Sequence, residues 1–276
     1  MFVVFSRDRA MQLDLLLQSL DRYCADPIVV IFKASTARYS DAYQQLREEW
    51  DRPWRPFWPE VNFQNDVNHA LRGSDLTTFL CDDNIVYKPL AKIDVLFGED
   101  NRFLTYSHRL GKNTVVQYPT GLDQEHPGCN YYEWEHEEGD FGYPGSIDGH
   151  TFRTSDVIRM LDGKEYPNPT ALECALVQGC REIANERPYM AIGEHSSLVG
   201  VPVNRVSLQS NVRHGNDHRL TAEALNEGYL AGERLKLSAI DFTNVNGAHT
   251  ELDLLPAPEA KYPLYKNRGR GKFSLP

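Results

Sequence analysis

Two adjacent carboxylates follow a stretch of residues that favours a buried strand. Leu76–Leu80 reads Leu-Thr-Thr-Phe-Leu, and Asp82, Asp83 and Asn84 come directly after Cys81. Because burying an unpaired carboxylate is unfavourable, the aspartates mark the C-terminal end of the predicted strand. Ligands bind at that end of open α/β sheets, and paired carboxylates there predict a site for a divalent cation that holds substrate phosphates. The alternative is an ordinary turn, in which Asp and Asn form local hydrogen bonds.

Alternating strands and helices must position this pair. Phe2–Phe5 and Ile28–Phe32 are short apolar runs, typical of buried parallel strands. A leucine-rich helix, capped by Ser6 or Asp8, is predicted after the first run, and further helices are predicted over 41–50 and 65–72. The alternation predicts an α/β fold with a mixed, mostly parallel central sheet and helices on both faces.

The second half of the chain continues with strands, helices and one long irregular segment, 108–146. Thr170–Ile183 is predicted as a helix, and Thr170 and Glu173 have the spacing of a capping box. The other predicted elements are a helix at Leu90–Leu96, a strand at Phe103–Ser107, a strand over 146–153, a helix capped by Ser155, an extended segment at Leu198–Leu208 and a helix at Thr221–Leu235.

Length, composition and charge indicate the size of the domain and argue against several classes of protein. The 276 residues are 41% hydrophobic, which is enough for one large domain, and the net charge of −10 argues against nucleic-acid binding. The first residues predict a strand and not a signal peptide, and no apolar run approaches the ~20 residues that cross a bilayer. The five cysteines are scattered without a CxxC pair, so we expect reduced thiols and a cytoplasmic location.

The last 21 residues, 256–276, form a basic tail. This composition is typical of a disordered, solvated end. The alternative is a weak electrostatic contact with anionic lipid or a nucleotide phosphate, which would place the protein at the inner face of the membrane. The basic residues are Lys261, Lys266, Arg268, Arg270 and Lys272.

The order of four motifs resembles the GT-A nucleotide-sugar glycosyltransferases, and most closely the inverting, family-2-like group. The motifs are Val4-Phe-Ser-Arg-Asp-Arg9 before the leucine-rich helix, Phe79-Leu-Cys-Asp-Asp-Asn84, Gly145-Ser-Ile-Asp-Gly-His-Thr-Phe-Arg153, and Leu172-Glu173-Cys174. The second resembles the DXD segment of that family, and the last stands where its xED helix begins. The resemblance covers about residues 1–210. It implies one Rossmann-like GT-A catalytic domain over 1–255, with a nucleotide-binding half at 1–107 and an acceptor-binding half at 108–255.

The resemblance also implies roles for particular residues. Asp83 would hold Mn²⁺ or Mg²⁺, with His249 or His214 as a further ligand. Glu173 or Asp148 would be the catalytic carboxylate that takes the proton of the acceptor hydroxyl. Apart from the resemblance, the aromatic side chains of the 108–146 segment predict a loop that flanks a substrate cleft and offers faces for stacking on a sugar, and the alternative is a solvated acidic loop. The residues implied to hold the nucleotide are Ser6, Arg7, Lys33, Ser35 and Asp82.

The chain departs from the family pattern at two of these places. Cys81 stands where the DXD segment has its first carboxylate, and a thiol is a poor ligand for Mg²⁺. Glu173 alone is acidic at the xED position, and a capping box would explain it without catalysis. Asp148 is not a departure, but its role also has alternatives. It is followed by Gly149, which makes a common turn pair, and it could bind sugar hydroxyls instead of acting as a base.

The resemblance therefore implies an enzyme that moves a sugar from a nucleotide-diphosphate sugar to a hydroxyl acceptor, such as a glycan or surface polysaccharide precursor, with the help of a metal. A nucleotidyltransferase acting on a sugar phosphate is a second interpretation, although it usually has a glycine-rich loop where this chain has Ser6-Arg-Asp-Arg-Ala10. A third is a non-catalytic module that binds nucleotide sugars.

Overall fold

One eight-stranded sheet runs through the part of the chain that this computed structural model describes, residues 1–99, 101–118, 120–206 and 217–258. Its strand order is β3-β2-β1-β4-β8-β6-β9-β7, and two small pairs, β5–β10 and β11–β12, lie beside it. The strands are β1 (Phe2–Arg7), β2 (Ile28–Lys33), β3 (Phe57–Pro59), β4 (Leu76–Cys81), β5 (Asn84–Val86), β6 (Phe103–Ser107), β7 (Tyr131–Glu133), β8 (His150–Arg153), β9 (Tyr189–Ile192), β10 (Leu198–Gly200), β11 (Glu233–Arg234) and β12 (Ala257–Pro258).

Seven helices accompany the strands in the described residues. They are α1 (Ala10–Tyr23), α2 (Ala37–Trp50), α3 (Phe63–Ala70), α4 (Asp94–Glu99), α5 (Thr154–Leu161), α6 (Pro169–Glu182) and α7 (Ala222–Leu230). Short 3₁₀ turns occupy Leu71–Gly73, Trp134–His136, His218–Leu220 and Leu237–Ala239. Among these described helices, none has both the length and the apolar character needed to cross a bilayer.

The alternation of side chains along β1 shows why helices cover both faces of the sheet. Phe2 and Val4 pack with the apolar side chains of α1, α2 and α7. Val3 and Phe5 point the other way and pack with α3, α5 and α6. Since both faces are buried, the strand reads as a continuous apolar run. Pairings within the eight-stranded sheet are parallel at β1–β2, β1–β4, β2–β3 and β6–β9 and antiparallel at the other three, so the predicted mixed, mostly parallel α/β class is confirmed.

Four predicted helix starts are wrong, for local reasons. The N-cap of α1 is Arg9, because the hydroxyl of Ser6 and the carboxylate of Asp8 are engaged elsewhere. The N-cap of α5 is Arg153, one residue before the helix, so Ser155 lies inside the first turn. The N-cap of α6 is Asn168, whose side chain accepts a hydrogen bond from the backbone of Ala171. The fourth case is α4, which begins at residue 94 and not at residue 90.

The 108–146 segment is less irregular than its sequence indicates. Tyr131–Glu133 pairs with β9 as the outer strand of the sheet, and Tyr132, Trp134 and Phe141 are buried in the core. Of the aromatic residues in this segment, Tyr118 lines the cleft described below. The expectation that aromatic side chains of this segment stack on a sugar is therefore wrong for Tyr132, Trp134 and Phe141, which pack in the core. For Tyr131 and Tyr143, which are at least partly exposed, it stays a prediction.

A buried histidine makes the stability of this fold dependent on pH. The His108 ring lies beside β8, with Nε2 3.2 Å from Thr151 Oγ1, and burial lowers its pKa to about 4. Because the unfolded chain takes up this proton near pH 6.5, the contribution of His108 alone to the free energy of unfolding should fall by about 2 kcal/mol between pH 7 and pH 5. Denaturant titrations at both pH values check this result.

The variant His108→Gln isolates that contribution, since its side chain does not titrate and keeps a hydrogen-bonding group toward Thr151. The loss of stability on acidification should be smaller in the variant than in the unaltered protein. An equal loss in both proteins would show that the pH dependence comes from other groups.

Candidate active site

A cleft of about 540 Å³ opens at the carboxyl ends of β1, β2 and β4. It gathers most of the residues that the sequence singles out, although they come from distant parts of the chain. Ser35 does not reach the cleft lining, because its backbone N–H donates to Asp8 Oδ1 at 2.7 Å. His214 and the residues of the basic tail from 259 onward lie outside the described residues. The predicted residues that line the cleft are Ser6, Arg7, Lys33, Asp82, Asp83, Asp148, Glu173 and His249.

Asp82 ties the end of β4 to the turn after β1. Its Oδ2 accepts hydrogen bonds from the hydroxyl of Ser6 at 2.8 Å and from the backbone N–H of Arg7 at 3.1 Å. Its Oδ1 accepts from Arg9 Nη1 at 2.9 Å. Both carboxylate oxygens are thus engaged by donors of the chain itself, and the buried charge is satisfied. In this arrangement Asp82 fixes the shape of the turn.

Arg9 is the buried cation of this region. Its Nη1 contacts Asp82 and also Asp83, the latter at 3.2 Å, while its Nε donates to Asn204 Oδ1 at 2.9 Å and its Nη2 to the backbone oxygen of Asn204. Burial lowers the pKa of Arg9, but the two carboxylates outweigh that effect and raise it above its usual value. The guanidinium therefore joins β4 to the segment after β10.

Asp83 differs from Asp82 because no hydrogen bond from the described residues reaches its Oδ1. Only its Oδ2 contacts Arg9, and burial raises its pKa to about 6, with the charges of Asp148 and Asp82 adding to the rise and Arg9 opposing it. Within the described ranges, no three His, Cys, Asp or Glu side chains converge closely enough to hold a metal ion by themselves. Mg²⁺ is commonly held by one or two carboxylates together with substrate phosphates, so these residues fit a cation that arrives with a diphosphate.

Asp148 lies in the turn before β8 and is held by several donors. Asn84 Nδ2 donates to its Oδ1 at 3.2 Å, His249 Nε2 lies 3.5 Å from its Oδ2, and Arg109 Nη1 lies 4.0 Å from the same oxygen. Burial raises the pKa of Asp148, but His249 and Arg109 more than compensate and hold it well below its usual range. The side chain is therefore a carboxylate at neutral pH, suited to accepting hydrogen bonds.

Glu173 shares the cleft with Asp148 but has a different electrostatic environment. It lies one and a half turns into α6, too far along to bond the N-cap at Asn168, so the capping-box interpretation is wrong. Burial raises its pKa to about 7, and the charge of Asp148 adds to the rise. A carboxyl group with a pKa near neutral pH can take up and release a proton under ordinary conditions.

Sequence reasoning missed or undervalued two residues that line the cleft, Asn204 and Glu60, and one that lies behind Asp148, Arg109. Arg109 follows β6 and bridges Asp140 and Asp148, and Asn204 receives Arg9. Glu60 follows β3 and pairs with Lys33 at 2.6 Å. Each acts through a partner far away in the chain, so no local spacing marks them. The one signal available was the position of Glu60 directly after a short strand.

Comparisons with known proteins show only distant structural similarity. No protein-family model and no curated protein sequence matches the chain. Among solved structures, the mannosyltransferase PcManGT from Pyrobaculum calidifontis, in complex with GDP-mannose and Mn²⁺, is 14% identical with a TM-score of 0.39, over 70% of this chain and 54% of that one. The WbbM bifunctional glycosyltransferase, in its apo form, is 13% identical with a TM-score of 0.32, over 70% and 46%.

The chain spans about half the length of these two structures. TM-scores this low support no inference about activity, substrate or metal.

Proposed function

We propose that the chain is a GT-A glycosyltransferase that moves a sugar from a nucleotide-diphosphate sugar to a hydroxyl acceptor, for example on a glycan or polysaccharide precursor. The observation that carries the proposal is the convergence of two kinds of side chain on one cleft. Arg7 and Lys33 line the cleft near the ends of β1 and β2, and the carboxyl groups of Asp83, Asp148 and Glu173 line the same space. Cations suit the diphosphate and the acceptor groups of a nucleotide, and carboxyl groups suit the hydroxyls of sugars.

The two carboxyl groups near the acceptor half take different roles because their environments differ. Glu173, with a pKa raised to about 7, is the base that removes the proton from the attacking hydroxyl oxygen as that oxygen bonds to the anomeric carbon. Asp148 is held ionised by His249 and Arg109, so it is a weak base and instead accepts hydrogen bonds from sugar hydroxyls. The bond between the anomeric carbon and the diphosphate breaks, and the nucleoside diphosphate leaves.

Charge on the leaving diphosphate must be balanced as it forms. Arg7 lines the cleft with its side chain half exposed, and its own backbone N–H donates to Asp82 Oδ2, which holds the residue in place. A Mn²⁺ or Mg²⁺ ion bound by the open oxygen of Asp83, with His249 as a further ligand, would supply additional neutralisation. Arg9 is committed to Asp82, Asp83 and Asn204, so it keeps the carboxylates in position.

Donor binding and donor hydrolysis test this proposal. The unfolding temperature should rise with at least one of UDP-, GDP- or CDP-sugars, and more so with Mn²⁺, because a ligand that binds only the folded state stabilises it. Slow release of free sugar and nucleoside diphosphate should accompany binding. Asp83→Ala should reduce the effect of Mn²⁺, while the exposed control Asp241→Ala should leave it unchanged. No stabilisation by any of these nucleotides would contradict the proposal. Release of pyrophosphate from a nucleoside triphosphate when a sugar phosphate is supplied would favour a nucleotidyltransferase.

A change at Gly200 should disturb the site without removing any of its polar groups. A methyl group added there would lie 2.2 Å from His249 Cδ2, too close for the ring to keep its place beside Asp148. We expect Gly200→Ala to lower the rate of donor hydrolysis or transfer by about tenfold, since small displacements of positioning groups slow catalysis. Kinetics with saturating donor measure the effect.

The matched control for this variant is Gly98→Ala, because nothing lies within 4 Å of a methyl group at that position. Its rate should equal that of the unaltered protein. Equal rates for both glycine variants would show that the position of His249 has no influence on turnover.

A further inference from the structure

An ion pair stands at the end of the cleft formed by β2 and β3. Lys33 is the last residue of β2 and Glu60 follows β3, and Lys33 Nζ lies 2.6 Å from Glu60 Oε1. The backbone N–H of Glu60 donates to the carbonyl oxygen of Phe32 at 2.8 Å, so the hydrogen bond to β2 fixes the backbone position of Glu60. Its side chain is 14% exposed and that of Lys33 is 49% exposed. Both line the cleft, and within the part of the chain that the structure describes neither side chain has a hydrogen bond other than the one that joins them.

Apolar side chains line the cleft together with this ion pair. Phe5, Ile31 and Phe63 all contribute to the lining, and the rings of Phe5 and Phe63 lie 5.1 Å apart. An apolar wall combined with a few fixed polar groups is the usual composition of a site for a flat organic ring. In a donor whose diphosphate lies near Arg7, the nucleobase is the flat ring that could reach this end of the cleft.

The hydrogen-bonding pattern of the ion pair selects among nucleobases. Lys33 offers N–H donors, and the Glu60 carboxylate offers two acceptor oxygens in one plane. Along its Watson–Crick edge guanine presents an acceptor, O6, and then two donors, N1–H and the N2 amino group, which is the complementary pattern. Uracil would set its O2 against a carboxylate oxygen, cytosine its N3, and adenine has a single donor group on that edge.

We propose that Lys33 and Glu60 read the edge of guanine, so that the donor is a GDP-sugar. The inference rests on the proposed function, since it assumes that the cleft holds the nucleotide. Lys33 donates to O6, and the two oxygens of Glu60 accept from N1–H and N2–H. A mismatched base leaves a carboxylate oxygen against another acceptor, and sites that hydrogen-bond their ligand discriminate strongly against such analogues.

Calorimetric titration of the purified chain with GDP, IDP, UDP, CDP and ADP, each with Mn²⁺ and with EDTA, tests the inference. GDP should bind at least tenfold more tightly than UDP, CDP or ADP. IDP, which lacks the N2 amino group, should bind less tightly than GDP and more tightly than UDP. Because this comparison uses the unaltered protein, it does not depend on the folding of any variant.

The variant Glu60→Gln tests the carboxylate itself. Its amide has one acceptor oxygen and places an NH₂ group against a donor of guanine, so GDP affinity should fall at least tenfold. UDP affinity should stay the same or rise, because the NH₂ group can donate to uracil O2. The control Glu227→Gln removes one member of an exposed ion pair with Arg38 and should leave every affinity unchanged.

The outcomes separate the two proposals. UDP, CDP or ADP binding as tightly as GDP, IDP binding as tightly as GDP, or an unchanged preference in Glu60→Gln would overturn guanine recognition and leave the proposed glycosyl transfer intact. Failure of all five nucleotides to bind, with or without Mn²⁺, would overturn both.

Discussion

Replacing Glu173 by glutamine should lower the rate of sugar transfer by a factor of about 10²–10⁴, because the variant keeps the size of the side chain and loses the base. Donor affinity should stay the same. The unaltered protein should lose activity as the pH falls below about 7, where Glu173 becomes protonated, and the residual activity of the variant should lack this acidic limb. Steady-state kinetics over pH 5.5–8.5 with saturating donor measure both effects.

The stability of this variant distinguishes a catalytic role from a structural one. The pKa of Glu173 is raised from its ordinary value of 4.5 to about 7 in the folded protein, so the folded state binds this proton more tightly than the unfolded state. The ionised side chain therefore destabilises the fold progressively above about pH 4.5, and glutamine removes that effect. At pH 8 the variant should unfold at a temperature no lower than the unaltered protein.

The control for Glu173→Gln is Glu182→Gln, which lies on the same helix. Glu182 is about half exposed and pairs with Lys164 at 2.7 Å, away from the cleft lining. Its rate and pH profile should match those of the unaltered protein. A Glu173→Gln variant that is inactive and also strongly destabilised, or one that keeps full activity, would contradict the assignment of the base.

Replacing Arg9 by methionine should lower the free energy of unfolding by about 3–5 kcal/mol. The substitution keeps much of the apolar volume but leaves the carboxylates of Asp82 and Asp83 buried beside each other without their shared cation. Urea denaturation at pH 7.5 measures the loss. Adding Asp83→Asn to Arg9→Met should recover part of it, because one of the two uncompensated charges is then removed.

The comparison variant is Arg38→Met, which breaks an exposed ion pair with Glu227 and should leave the denaturation midpoint almost unchanged. If Arg9→Met unfolds at the same urea concentration as Arg38→Met, the aspartates do not depend on Arg9 for their charge balance. If Asp83→Asn gives no recovery, the loss comes from the contacts of Arg9 with Asn204 instead.

The sequence carried enough information to predict the sheet edge on which the cleft lies. Apolar runs mark β1, β2 and β4, and polar residues directly after them mark where each strand ends. Because parallel strands end at the same edge, Ser6, Lys33 and Asp83 had to come near one another. All three residues line one cleft, and their roles in binding or catalysis remain predictions.

Contacts between residues that are distant in the chain could not be predicted from local sequence patterns. The three residues of β7 are too few to show a periodicity, and they form a strand only because the free edge of β9 is available to pair with them. Arg109, Asn204 and Glu60 are ordinary polar residues in the sequence. Their importance comes from buried partners that the folded chain brings together, which is a property of tertiary packing.

The two outer strands of the sheet affect whether copies of the chain associate through their sheet edges. β3 and β7 are each three residues long, and β3 ends in Pro59, which has no N–H to donate. An outer strand this short offers few backbone groups to a second sheet, and short or proline-bearing edges are a common protection against edge-to-edge aggregation. Lengthening β7, whose residues do not line the cleft, with β-branched residues would therefore be expected to promote self-association while leaving the cleft intact.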